Sequence, residues 1–147
     1  MLAACGGGGT GVGDAFAGRA SQVCDDALAS KQAWAPFPVA DFDPTDPDST
    51  AFPQVAAWLE DEVAPTFQAW LDDLDALGAP PSGRDAWNDV VAAVQRIVRL
   101  NADQISAARD GDAQAFADAT DGLAQTQTQL ERATDEAGVP SCADVHA

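Results

Sequence analysis

The sequence predicts an all-α protein, an up-down-up-down four-helix bundle, and three observations lead there. Apolar residues recur three and four positions apart over four long segments. Prolines gather at the borders of those segments, with Pro65 as the exception. The hydrophobic fraction of 46 % is rich in alanine with leucine and valine dispersed, no tyrosine occurs, and strand-like alternation is absent.

The first helix is expected from about Asp14 to Ala33, carrying Phe16, Ala20, Val23, Ala27, Leu28 and Trp34 on one face. Ala35-Pro36-Phe37-Pro38 ends it, because a proline disfavours helical geometry in the residue before it. Asp41 to Asp48 then reads as an acidic, proline-punctuated surface loop. Ser49, Thr50 and Pro53 mark the start of a second helix, a hydroxyl cap followed by proline in the first turn. Its stripe, Phe52, Val55, Leu59, Val63, Phe67, Trp70, Leu74 and Leu77, is the clearest amphipathic pattern in the chain. Pro65 lies inside it and predicts a kink or break near Val63, since proline lacks the amide donor and its ring clashes with the preceding turn.

Gly78 and Pro80-Pro81 stop that helix, and Ser82 to Asp85 opens a third with the stripe Trp87, Val90, Val91, Val94, Ile97, Val98 and Ile105. It ends near Asp110-Gly111. Asp112 caps a fourth helix bearing Phe116, Leu123, Leu130 and Ala137, closed by Gly138 and Pro140. Thr120, Gln127 and Thr134 share its facing stripe and make it the least apolar of the four.

Composition narrows the classes of partner. With 24 acidic and 7 basic residues the formal net charge is −17, which excludes nucleic acid, because phosphate binding relies on Lys and Arg displacing counterions. The same balance speaks against a polybasic membrane contact. No apolar run approaches the roughly 20 residues that span a bilayer. Asp far exceeds Glu and Lys31 is the sole lysine, a bias of GC-rich genomes or high-salt life, so the acidity reads as solvated surface.

Leu2-Ala3-Ala4-Cys5 resembles the bacterial lipobox, in which a Leu and two small residues precede a cysteine that is diacylated and becomes the new N-terminus. That resemblance implies lipidation at Cys5 and a lipid-anchored place on the extracytoplasmic face of the cell membrane. A secretory signal needs a basic region and an apolar stretch of roughly 7–15 residues upstream, so the first residue is expected to lie inside the signal peptide. The competing reading is a cytosolic chain that begins with small residues. Residues 1–4 are then a signal remnant, 5–13 the lipidated Cys5 with a flexible Gly-rich tether, and 14–147 the helical domain. A tether of that composition reaches about 15 Å on average.

With Cys5 given to lipid, Cys24 and Cys142 remain as an even pair, which outside the cytoplasm oxidises. In an up-down-up-down bundle the end of the fourth helix returns beside the start of the first, so the topology itself brings the two together. A zinc site from Cys24, Cys142, His146 and Asp144 is the alternative, weakened by the absence of a compact four-ligand motif. Asp41 to Asp48 offers hard oxygen donors but lacks the glycine and closing glutamate of an EF-hand loop. No metal or cofactor is expected.

The sole histidine, His146, is C-terminal, so the Glu-x-x-His pairs of di-iron bundles and an internal haem ligand are missing. A Ser-His-Asp site would have to recruit His146 from a tail that reads as mobile. No catalytic residue is assigned. Trp70 and Trp87 fall on core stripes, whereas Trp34 and Trp58 admit a second reading as a cleft that stacks on a ligand. The lipobox, the acidic Ala-rich helices and the final Gly138-Val139-Pro140-Ser141-Cys142 together resemble small lipoproteins of high-GC, actinobacterial-type bacteria. The resemblance is one of layout and implies no activity. The expected function is a membrane-anchored, non-enzymatic binding or interaction module for an envelope protein or small ligand, with a ligand carrier or sensor, its pocket between helices near Pro65, as the alternative.

Overall fold

The computed structural model describes residues 11–46 and 50–147. Among these the protein is all-helical, with no strand. Five α-helices follow one another: α1 (Asp14–Gln32), α2 (Phe52–Trp58), α3 (Ala64–Ala76), α4 (Arg84–Asp110) and α5 (Ala113–Ala137). A π-helical turn, Leu59–Val63, joins α2 to α3, and a 3-10 segment, Pro140–Val145, follows α5.

The segment expected as one kinked helix is therefore α2, a π turn and α3, with right-handed helical backbone at both junctions. Ala64 N–H donates to Leu59 O, a bond that spans one residue more than an α-helical bond and widens the turn just ahead of Pro65. The wider turn makes room for the proline ring, which would otherwise press on the carbonyl of Asp61. Thr66 Oγ1 donates to Glu62 O at 3.0 Å and gives that carbonyl a donor. The apolar stripe survives: Phe52, Val55, Leu59, Val63, Phe67, Trp70 and Leu74 are all buried. A proline at an ordinary helix interior costs about 3 kcal/mol relative to alanine. Because the π turn already relieves the clash, Pro65→Ala is expected to change unfolding free energy by less than about 1 kcal/mol in urea titration. A gain near the full helix-interior value would show that the turn leaves the strain in place.

The helix ends follow local chemistry. Asp112 Oδ1 accepts from Ala115 N at 2.9 Å, the cap expected for α5. Both α4 and α5 close on left-handed glycines, Gly111 and Gly138. Asp112 N donates to Ala107 O at 2.9 Å and Val139 N to Thr134 O at 2.9 Å, the six-to-one bond of a Schellman ending. Two expected starts differ. The N-cap of α2 is Ala51 with no side-chain cap bond, and Ser49 lies outside the described residues. The N-cap of α4 is the left-handed Gly83, while the Ser82 hydroxyl donates to Gly11 O at 2.9 Å.

Packing runs from α5 to α4, from α4 to both α2 and α3, and from α3 to α1. The 3-10 segment fills the space beside both α1 and α5. This corrects the reading of a mobile tail: Val139, Cys142 and Val145 are fully buried and extend the core. The Gly-rich stretch changes at its other end too. Val12 is fully buried and its N–H donates to Ala137 O at 3.1 Å, so Gly11 to Gly13 sit against the domain. Residues 1–10, including Cys5, lie outside the described residues.

Candidate functional site

Cys24, on the buried face of α1, forms a disulfide with Cys142 of the 3-10 segment, with α-carbons 5.0 Å apart. Both cysteines are fully buried. The pairing displaces the zinc alternative, and no group of three or more metal-ligating side chains occurs among the described residues. His146 and Asp144 follow in the chain but are not gathered with the sulfurs into such a group.

His146 is held rather than loose. The Gln127 amide nitrogen donates to Glu131 Oε1 at 3.0 Å and to Ala143 O at 3.2 Å, which fixes the amide so that its oxygen faces the imidazole. His146 Nδ1 therefore donates to Gln127 Oε1 at 2.9 Å. The ring lies 5.7 Å from that of Phe67, and Lys31 Nζ donates to Ala147 O at the chain's last residue. Burial, with a smaller contribution from the Lys31 charge, lowers the His146 pKa to about 4. Burial also lowers the Lys31 pKa.

These facts set the pH dependence. The unfolded chain takes up a proton on His146 below its ordinary value of about 6.5. The folded chain takes it up only near 4. The stabilisation is thus whole above about pH 6.5 and is lost as pH falls toward the folded value, on the order of 2–3 kcal/mol. His146→Gln is expected to flatten that interval of the stability curve, read by denaturant unfolding at stepped pH. An unchanged slope would mean that the imidazole ionises freely in the fold.

Trp34 and Trp58, the two with a second reading as a cleft, have their indole N–H groups bonded within the chain. Trp34 Nε1 donates to Thr66 Oγ1 at 2.8 Å, and Trp58 Nε1 donates to Ala35 O at 2.8 Å. Their rings meet edge to face at 5.6 Å, and Phe37 stands edge-on to Trp58 at 5.2 Å. Phe42, from the same connector, packs on Phe52 and Phe116. Trp34 and Trp58 thus each meet another aromatic ring edge to face, with Phe37 the exposed member of the cluster. Trp70 and Trp87 are buried, as their stripes predict. In the acidic connector, Asp43 Oδ1 accepts from both the amide and the hydroxyl of Thr45, which closes a local turn and holds its carboxyl below its ordinary pKa. Pro47 and Asp48 of that loop lie outside the described residues.

What the sequence reading did not single out lies between α4 and α5. A groove of about 420 Å³ is lined by Asp89, Arg96, Arg99, Gln129, Arg132 and Glu136, with the buried Ala93 and Ala133 at its base. Gln104 Nε2 donates to Thr120 Oγ1 at 3.0 Å, and this antiparallel register sets Arg96 level with Gln129 and Asp89 level with Glu136. Carboxylates therefore share one end and the arginines the middle. Three of the six arginines in an acidic chain, all exposed, line this groove, and none makes a hydrogen bond or ion pair with a described residue. By contrast Arg109 pairs with Glu60. A second groove nearer the α4–α5 turn, about 450 Å³, is lined by Asp103, Asp110, Asp112 and Asp118. The signal for the basic groove was the i, i+3 pair Arg96 and Arg99, which periodicity alone reads as a solvated helix face.

No described helix is long and apolar enough to cross a membrane. Set against known proteins, the chain matches no family model, no curated protein and no solved structure.

Proposed function

We propose that the protein is a lipid-anchored, extracytoplasmic binding module without enzymatic activity, its scaffold an up-down-up-down four-helix bundle in which α2, the π turn and α3 act as the second helix. The lipobox-like Leu2-Ala3-Ala4-Cys5 carries this reading. The buried Cys24–Cys142 disulfide supports an oxidising compartment. The non-enzymatic part draws support from His146, whose ring is engaged by Gln127 and Phe67, and from a cysteine pair that is already bonded. The partner is an envelope protein or small ligand, not nucleic acid. The groove between α4 and α5 favours a second reading within the same class, a small-ligand carrier or sensor, with its pocket there rather than near Pro65.

The anchor is tested by expressing the chain behind a complete lipoprotein signal and fractionating the cells. The wild type is expected in the membrane fraction, with a diacylglyceryl mass on the peptide beginning at Cys5, and Cys5→Ala in the soluble fraction. Recovery of both as soluble protein without added lipid mass would sink the proposal.

A further inference from the structure

We infer that the groove between α4 and α5 binds a small zwitterion, a phosphate ester carrying a primary amine about one helical turn away. The inference rests on the reading of the protein as a ligand-binding module and names the ligand class. Its first ground is electrostatic. In a chain of net charge −17, arginines gain by pairing with the abundant carboxylates, as Arg109 does with Glu60. Arg96, Arg99 and Arg132 instead line one groove, exposed and without an ion pair to any described residue. Three guanidinium groups offer more donors than one carboxylate accepts, whereas a phosphate has oxygens for several forks at once. Gln129 adds a neutral amide on the same wall.

The second ground is the polarity along the groove. Glu136 lies one turn beyond Arg132 on α5, and Asp89 lies level with it on α4. An ammonium there faces two carboxylates, whose four oxygens are enough to accept from its three donors. An anion without an amine leaves those carboxylates unanswered and repelled. Ala93 and Ala133 keep the base shallow, so the ligand's short methylene link can lie against methyl groups.

The third ground is position. Val12 bonds to Ala137 and Gly11 to Ser82, so the chain leading back to Cys5 joins the domain beside Glu136, at the carboxylate end of the groove. Six residues reach no more than about 20 Å when extended. With Cys5 lipidated, the groove then opens within reach of lipid headgroups of this chemistry, alongside any free phosphoamine in the surrounding space.

The test uses the full, non-lipidated chain labelled with 15N. Titration with O-phosphoethanolamine is expected to shift amide and arginine side-chain resonances at residues 89–99 and 129–136, saturably, and about tenfold more tightly than inorganic phosphate. Arg96→Gln with Arg132→Gln is expected to weaken binding about tenfold or more, in line with the loss of charge-assisted hydrogen bonds. Asp89→Asn with Glu136→Gln should erase the preference over inorganic phosphate while leaving the spectrum that of a folded protein. Flotation with phosphatidylethanolamine vesicles against phosphatidylcholine vesicles assigns the source: selective co-flotation supports the headgroup, and binding of the soluble compound alone supports a free ligand. Equal affinity for phosphate and the phosphoamine overturns the zwitterion but leaves a carrier of anions. Absence of any saturable shift overturns the inference alone; the reading as an anchored binding module stands or falls with the separate fractionation experiment.

Discussion

Replacing Cys24 and Cys142 together by alanine is expected to lower the free energy of unfolding by about 3–5 kcal/mol. The bond closes a loop of 118 residues and so restricts the unfolded chain over almost the whole domain. It also holds the 3-10 segment, whose Val139 and Val145 are fully buried, against α1 and α5. A domain of this size is stable by only about 5–15 kcal/mol, so the double variant should be marginal. Urea unfolding with and without reductant measures the effect: the wild type under reducing conditions should match the double variant. A midpoint indifferent to reduction would show that the segment docks by packing alone.

The second large effect is at Trp70, which is 1 % exposed and packs beside Phe67. Trp70→Ala is expected to cost about 3–5 kcal/mol, since it removes a large buried ring from a core that cannot fully collapse around the void. Trp70→Phe should behave differently. The indole Nε1 is buried without a hydrogen-bond partner, and an unmade donor of that kind costs about 1–3 kcal/mol. Phenylalanine discards the donor and keeps most of the apolar area, so its cost should stay within about 1 kcal/mol of wild type. Unfolding curves in which the two substitutions are equally damaging would mean that the indole nitrogen is bonded after all.

Much of this architecture was legible because the buried faces obey helical spacing. Phe16, Ala20 and Ala27 on α1, the Phe52 to Leu74 stripe, and Trp87, Val90, Val94 and Ile97 on α4 are all buried at the positions their periodicity predicts. Cys24 and Cys142 were legible for a different reason, an even pair once Cys5 is set aside, and the structure joins them in a disulfide. Periodicity failed where structure is not periodic. Pro140 to Val145 has no repeating stripe, and its burial depends on a 3-10 turn wedged beside α1. Asn101, Gln104, Thr126 and Thr134 are buried although polar; the two threonine hydroxyls donate to carbonyls of their own helix, a local solution invisible to hydrophobic patterning. Pro65 announced a disturbance, but its form, a π turn in which Ala64 N–H bonds to Leu59 O just ahead of the proline, is a backbone adjustment that side-chain spacing does not encode. The arginine groove was missed because it needs two helices in register, and one sequence stripe shows only one of them.

The covalent bond between Cys24 and Cys142 also decides how this molecule bears load. The shortest covalent path between its two ends runs along the first residues to Cys24, across the sulfurs, and out through the last few residues after Cys142. A pull on the N-terminal side against the C-terminal side therefore travels that path and bypasses the 118-residue loop. Tension first meets the short contacts at the rim, Val12 with Ala137 and Lys31 with Ala147. The helices that form the α4–α5 groove lie inside the shielded loop, so the groove keeps its shape while the ends give.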